Sequence, residues 1–276
     1  MQELRQSLQY AEYMKEIGWT VESADSCQIF IKKFPIFSFI KIQRPEEIPF
    51  SKIDKIAKKK RAFVVCLEPS TVNHQSSIIN HGYRPAKSPY LPSKTIHLNL
   101  TLSEEKILAQ MKKDARYSIR KAREIEIKKL KYEDIGGFHH AWKKSINWRR
   151  YRPSLKTLQA LKQAFGQNAI FLRATLRHMP SAKMLAGAVI LTAGKTAYYY
   201  YAFTSNEGRR KFAQYLLVWE AIKLAKKQGC KIFDFEGIYD PRFPQKSWRG
   251  FSHFKKSFGG KEIEYPESFR KYRLPF

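Results

Sequence analysis

The run from Ala169 to Glu236 decides the fold: AIFLRATL (169–176), MLAGAVILT (184–192), TAYYYYAF (196–203), RRKFAQYLLVWEAIKLAKKQ (209–228) and, after Gly229, KIFDFE (231–236). The first three pieces are short, apolar and separated by a few polar or glycine positions, which predicts three successive strands. The fourth repeats its apolar residues at helical spacing and is stopped by glycine, and the fifth predicts a returning strand. Strands interleaved with a helix of this length read as an α/β arrangement.

The same alternation extends toward the N-terminus. Helices are predicted over about 134–147 and over 154–166, the latter capped by Ser154 and stopped by Gly166. Upstream, Thr101 and Glu104 form a capping box, and Leu108, Met111, Ala115, Ile119 and Ala122 share one face of a single helix that ends near Ile125–Ile127. Residues 2–17 predict a helix stopped by Gly18, residues 51–60 a short basic helix, and the stretch from Ser70 to Gly82 another. Strands are predicted at Cys27–Lys33, Phe37–Gln43, Arg61–Leu67 and Thr95–Leu100. Both halves mix strands and helices, so two α/β domains are expected, 1–127 and 128–260, meeting near residue 127.

Composition supports folded cores: hydrophobic residues are 43% of the 276 and aromatics 14%. Cys27, Cys66 and Cys230 are sparse, odd in number and lack metal-ligand spacing, which predicts buried thiols rather than a disulfide framework or zinc site. The opening MQELRQSLQY is charged, and no apolar run approaches the length of a membrane span, so the expectation is a cytoplasmic monomer, free to touch the inner face of the membrane. Charge is the strongest global feature. Lys and Arg number 52 against 24 acids, a net +28. The excess is patterned: Ile135 to Asn206 contains no acid and eleven Lys or Arg, and Pro241 to Lys261 again contains no acid. One-sign stretches predict a polyanionic partner such as nucleic acid, anionic lipid or a diphosphate.

Four stretches, in order along nearly the whole chain, resemble the FemABX family of peptidyltransferases that build peptidoglycan cross-bridges. They are Q-S-L-Q-Y-A-E-Y-M-K-E-I-G-W (Gln6–Trp19), with Tyr10 where the family usually has Trp, and L-A-Q-M-K-K-D-A-R-Y-S-I-R-K-A (Leu108–Ala122), with Ser118 for Asn. The third is A-Y-Y-Y-Y-A-F-T-S-N-E (Ala197–Glu207), followed by a helix carrying Tyr215, Leu216 and Trp219. The fourth is D-F-E-G-I-Y-D (Asp234–Asp240) with F-K-K-S-F-G-G (Phe254–Gly260). The resemblance implies tandem GNAT-like domains with mixed sheets, a C-terminal segment 261–276 that returns to the first domain, and a cleft for the precursor between the domains. It implies a compact member without the helical arm of some relatives. It also implies transfer of an amino acid from aminoacyl-tRNA to an amine of a precursor stem peptide, in UDP-MurNAc-peptide or lipid II, with no cofactor or metal.

Aminoacyl transfer passes through a tetrahedral oxyanion and needs a cation or donor where that charge develops. The resemblance places such a lysine at Lys255, preceded by Phe254; a phosphate-facing cation is the competing reading, and Lys256 is the alternative by one position. Arg116 and Arg120 stand four apart on a helix beside Tyr117, a fork suited to a diphosphate or, equally, a solvated basic face. Arg149 and Arg152, interleaved with Trp148 and Tyr151, combine charge and ring surface as nucleotide binders do, which reads as nucleotide or tRNA contact or, alternatively, as surface charge at a helix end. In the YYYY strand, alternation puts Tyr199 and Tyr201 on one face, and the family pattern favours this pair as cleft residues. Asp234 and Glu236 share a strand face; each reads either as a general base or as half of an ion pair. The competing classes are an acyl-CoA-dependent GNAT enzyme, disfavoured by the single glycine of Asn206-Glu207-Gly208-Arg209-Arg210, and a non-enzymatic basic RNA-binding protein.

Overall fold

The computed structural model describes residues 3–146, 151–178 and 183–273. Along the chain come α1 (Leu8–Glu16), β1 (Thr20–Ala24), β2 (Cys27–Lys33), β3 (Ser38–Gln43), α2 (Phe50–Lys59), β4 (Ala62–Glu68), α3 (Gln75–Asn80), β5 (Arg84–Ala86) and β6 (Lys94–Asn99). Then follow α4 (Glu104–Gln110), α5 (Lys113–Lys121), β7 (Ile125–Lys129), α6 (Ile135–Ser145), α7 (Leu155–Phe165), β8 (Ala169–Leu176), β9 (Ala186–Ala193) and β10 (Thr196–Thr204). The remainder is α8 (Asn206–Arg210), α9 (Ala213–Lys227), β11 (Ile232–Asp234), α10 (Arg249–Lys256), β12 (Lys261–Glu264) and β13 (Ser268–Tyr272). The α/β class expected from the sequence is borne out, with two mixed sheets.

The chain divides into two compact units, one made of 1–95, 239–247 and 263–276 and the other of 96–238 and 248–262. The division falls at Thr95/Ile96, not near residue 127. The cause is burial: Ile107, Met111, Ala115 and Ile125, from α4 through β7, pack with Ile190, Leu217 and Phe233 of the second unit.

The first unit is a sheet in the order β1-β2-β3-β4-β13-β5, parallel only between β3 and β4, where α2 makes the crossover. One face buries Ile29, Ile31, Ile40, Ile42, Val65, Leu67 and Phe269 against Ile53 and Ala57 of α2 and Ile78 of α3. Burying each such aliphatic side chain contributes about 1.5–3 kcal/mol. A polar knot closes one end. Arg44, with φ 56°, is buried; its guanidinium donates to the carbonyls of Pro69 (3.0 Å) and Pro92 (2.7 Å) and lies 3.3 Å from the ring centre of Tyr265. Beside it the buried Glu68 carboxylate accepts from the amides of Tyr90 (2.7 Å) and Leu91 (2.8 Å) and from Gln43 (2.8 Å).

The second unit carries the sheet β12-β6-β11-β10-β9-β8-β7, with β10 and β11 parallel. On one face α9 packs Leu217, Val218, Ala221 and Ile222 over the strands. On the other, Phe138 of α6 sits among Trp142, Phe171 and Phe203 at ring separations of 5.1–6.0 Å. The single helix expected over 101–122 is two. Met111 and Lys112 are extended, and the Lys112 amide donates 2.8 Å to the carbonyl of Ser257 in place of continuing the helix. Its cap is Ser103, whose hydroxyl accepts from the Lys106 amide (3.3 Å), not Thr101. Helix 209–228 is likewise divided, at Phe212 with φ 57°. Among the described residues no helix is long and apolar enough to cross a membrane, and all three cysteines are buried and free.

Candidate active site

The site forms where β11 ends. After Asp234 the chain leaves the strand through two left-handed residues, Glu236 (φ 54°) and Gly237 (φ 106°). This turn aims the carbonyls of Phe235 and Gly237 at one point, where the buried Lys255 ammonium donates to both at 2.6 Å. Lys255 comes from α10, whose inward face is Ser252 and Lys255, three positions apart; Phe251 places its ring centre 4.9 Å from the ammonium. Burial lowers the Lys255 pKa from the usual lysine value to about 8, while the charges of Glu236 and Asp234 pull the other way. An ammonium has three N–H donors, so two carbonyls hold it in place and leave a third.

Asp234 fixes the turn. Its carboxylate is buried and accepts from the Glu236 amide (2.7 Å) and from His97 Nε2 on β6 (3.1 Å). Of the two candidate bases, Asp234 is therefore engaged in holding backbone and His97, while Glu236 is half-exposed and electrostatically coupled to Lys255. Phe254 packs its ring against Tyr215 (4.8 Å) and Phe258 (5.3 Å). Lys256 is tied to Glu262 at 2.6 Å on the surface, which leaves Lys255 as the cation at the turn.

Tyr199 lies 5.9 Å beneath the Lys255 ammonium; its hydroxyl accepts from Gln214 of α9, and burial pushes its pKa up. The pairing of Tyr199 and Tyr201 on one face is overturned. Tyr199 opposes Ile190 and Tyr201 opposes Val189, so Tyr200 is an inserted residue that reverses the alternation. Tyr201 thus projects to the other side of the sheet, against Trp142 (5.7 Å) and the hydroxyl of Tyr151 (3.3 Å). Arg152 is on that side as well, close enough to His139 to depress the imidazole's pKa after burial has done so. Arg149 lies outside the described residues.

Arg116, Tyr117 and Arg120 form the outer face of α5. Arg116 is half-buried, Tyr117 and Arg120 are exposed, and Tyr117 rests edge-on against Phe212 at 6.2 Å. The Lys112–Ser257 hydrogen bond ties the start of this helix to the end of α10. The structure therefore gathers Lys255, Phe254, Tyr199, Asp234 and Glu236 around one turn, connects the α5 face to it through backbone, and separates Tyr201 and Arg152. His97 and Gln214 were not legible as site residues. Each is one of several polar positions in its element, without spacing to mark it. The turn itself had a signal, the glycine directly after D-F-E.

Both sheets, with a strand–helix order repeated in each unit, give the chain a tandem GNAT-like fold. A crystal structure of FemX superposes with a TM-score of 0.83 at 16% identity over 99% of this chain and 92% of that one. A tandem GNAT protein from the clavulanic acid biosynthesis pathway gives 0.57 at 8% identity, over 89% and 78%. At these identities the likeness concerns the fold alone. Sequence carries the narrower statement. Residues 177–276 match the model of the FemAB family, and that stretch holds the motifs at Ala197–Glu207, Asp234–Asp240 and Phe254–Gly260. A lipid II:glycine glycyltransferase of Staphylococcus haemolyticus is 30% identical over 80 residues, 29% of this chain and 19% of that protein. The Staphylococcus aureus enzyme of the same name is 30% identical over 88 residues, 32% of this chain and 21% of its own length. The match thus spans about a fifth of these relatives.

Proposed function

We propose that this chain transfers an aminoacyl group from aminoacyl-tRNA to an amine of a peptidoglycan precursor stem peptide, acting as a monomer without cofactor or metal. The observation that carries the reading is the Lys255 ammonium, buried and held by the carbonyls of Phe235 and Gly237. A neutral amine of the acceptor attacks the ester carbonyl of the donor, and the carbonyl oxygen becomes an anion. Lys255 turns its third N–H to that oxygen, in a site where low polarity strengthens the attraction. Collapse re-forms the carbonyl, breaks the ester bond and releases the tRNA's terminal ribose oxygen, which leaves with the proton given up by the amine. Glu236, whose charge acts on the ammonium, is the group we assign to relay that proton. The relatives' names and the FemAB match support the acceptor class, and the excess of positive charge supports a polyanionic donor.

Purified protein incubated with radiolabelled aminoacyl-tRNAs and either UDP-MurNAc-pentapeptide or lipid II is expected to move label onto a precursor. Label that stays on tRNA with both acceptors, across the full set of aminoacyl-tRNAs, removes the proposal.

Two further outcomes follow from the geometry. The cationic form of Lys255 exists below about pH 8 and is lost above it, so turnover falls as pH rises through about 8. In Lys255→Arg, whose side chain stays charged, that alkaline limb disappears even if the rate is lower. An unchanged limb in this variant assigns it to another group. On α5, Arg120→Ala weakens tRNA binding and makes the slope of log affinity against log salt shallower by about one, the loss of one phosphate contact. An unaltered slope places tRNA elsewhere.

A further inference from the structure

The first unit exposes a cluster of rings that its core does not use. The β2–β3 connection reads Lys33-Phe34-Pro35-Ile36-Phe37, closed by a hydrogen bond from the Phe34 amide to the Phe37 carbonyl (2.8 Å). All five of its residues are exposed, Phe34, Ile36 and Phe37 to between 39% and 68%. Phe34 and Phe37 lie 5.1 Å apart, Phe37 meets the exposed Phe63 at 5.9 Å, and Phe63 meets the exposed Tyr272 at 5.9 Å. A solitary exposed apolar residue needs no explanation, but a contiguous ridge of five does.

The ridge is flanked by cations. The end of α2 and the turn after it carry Lys58, Lys59, Lys60 and Arg61, and the turn is fastened to the base of the tip: Ser38 donates its amide to the Arg61 carbonyl (3.0 Å) and its hydroxyl to the Lys60 carbonyl (2.8 Å). Lys60 pairs with Glu22, and Lys271 and Arg273 pair with Asp54, so the nearby acids are occupied. Lys33, Lys58, Lys59 and Arg61 make no ion pair among the described residues. Apolar side chains that enter the acyl boundary, bordered by unpaired cations at headgroup level, are the two signals that together give stable attachment to an anionic bilayer.

We propose that the Phe34–Phe37 tip, with Phe63 and Tyr272 behind it and Lys33, Lys58, Lys59 and Arg61 beside it, docks this protein on an anionic membrane surface. The proposal stands on the first unit alone and does not rest on acyl transfer. If both hold, the acceptor is met in its lipid-linked form.

The test is co-sedimentation of the full chain with vesicles of phosphatidylglycerol and phosphatidylcholine, and with phosphatidylcholine alone. Binding is expected to the mixed vesicles and to be at least about tenfold weaker to the neutral ones. Ile36→Ser with Phe37→Ser, and separately Lys58→Glu with Lys59→Glu, are each expected to weaken binding to mixed vesicles by about tenfold or more. These positions are exposed, so melting curves should match the parent protein. Absence of binding by the parent protein overturns the proposal. So does full binding by the Ile36/Phe37 variant, which would make the surface a basic patch that attracts any polyanion, RNA included. The vesicles contain no precursor, so either failure leaves the transfer reading untouched.

Discussion

On the proposed reaction, Lys255→Ala is expected to lower turnover by about 100-fold or more, the usual consequence of losing one oxyanion donor, while tRNA affinity stays close to that of the parent protein. The expectation depends on where the charge is held. Lys255 is gripped by two carbonyls at 2.6 Å, so it pays little reorganisation when the anion develops. The substitution also removes the partner of those carbonyls and empties space beside Phe251, so a structural loss must be separated from a chemical one. Addition of a small alkylammonium ion distinguishes them: partial recovery of turnover, with no change in melting temperature, marks a missing cation. Turnover equal to the parent protein's would take Lys255 out of the reaction.

The second large effect concerns the two glycines after Lys255. Gly259 has φ 80° and Gly260 φ 91°. A Cβ on Gly260 would stand 2.7 Å from the carbonyl oxygen of His97 and 2.8 Å from side-chain atoms of Ile96 and Leu98, and one on Gly259 would stand 2.7 Å from the carbonyl oxygen of Gln110. Gly260→Val combines a backbone conformation that β-branched residues avoid with contacts that only a shift of β6 can relieve. We expect a stability loss of about 4 kcal/mol, read as a lowered midpoint in urea. His97 binds Asp234, so a surviving fraction should also show altered turnover through the displaced turn. A midpoint within error of the parent protein would mean that the chain passes β6 with room to spare.

Much of the fold could be read in advance because its signals are local. Strands Cys27–Lys33 and Ala169–Leu176 fall where their apolar runs predicted them, and Ser154 and Gly166 bound α7 through a cap and a left-handed stop. Reading failed where a distant residue decides. Met111 and Ala115 have correct spacing for one continuous helix, but the Ser257 carbonyl captures the Lys112 amide and breaks it. The inserted Tyr200 is invisible in a run of four identical residues, because only pairing with β9 reveals it, and it moved Tyr201 to the opposite face. In the site, family resemblance singles out Lys255, whereas its carbonyl grip, Asp234's tie to His97 and Tyr199's to Gln214 bring together positions far apart in sequence.

Strand β13 sits inside the first sheet, hydrogen-bonded to β4 on one side and β5 on the other. During synthesis, β4 therefore emerges with an open edge that stays unsatisfied until residues 268–272 leave the ribosome, on the order of tens of seconds later. Over that interval the nascent chain offers a hydrophobic template to chaperones or to a neighbouring polypeptide. A message broken before codon 268 would yield a second unit with its strands in place, joined to a first one that cannot close, and quality-control proteases would find it by that gap.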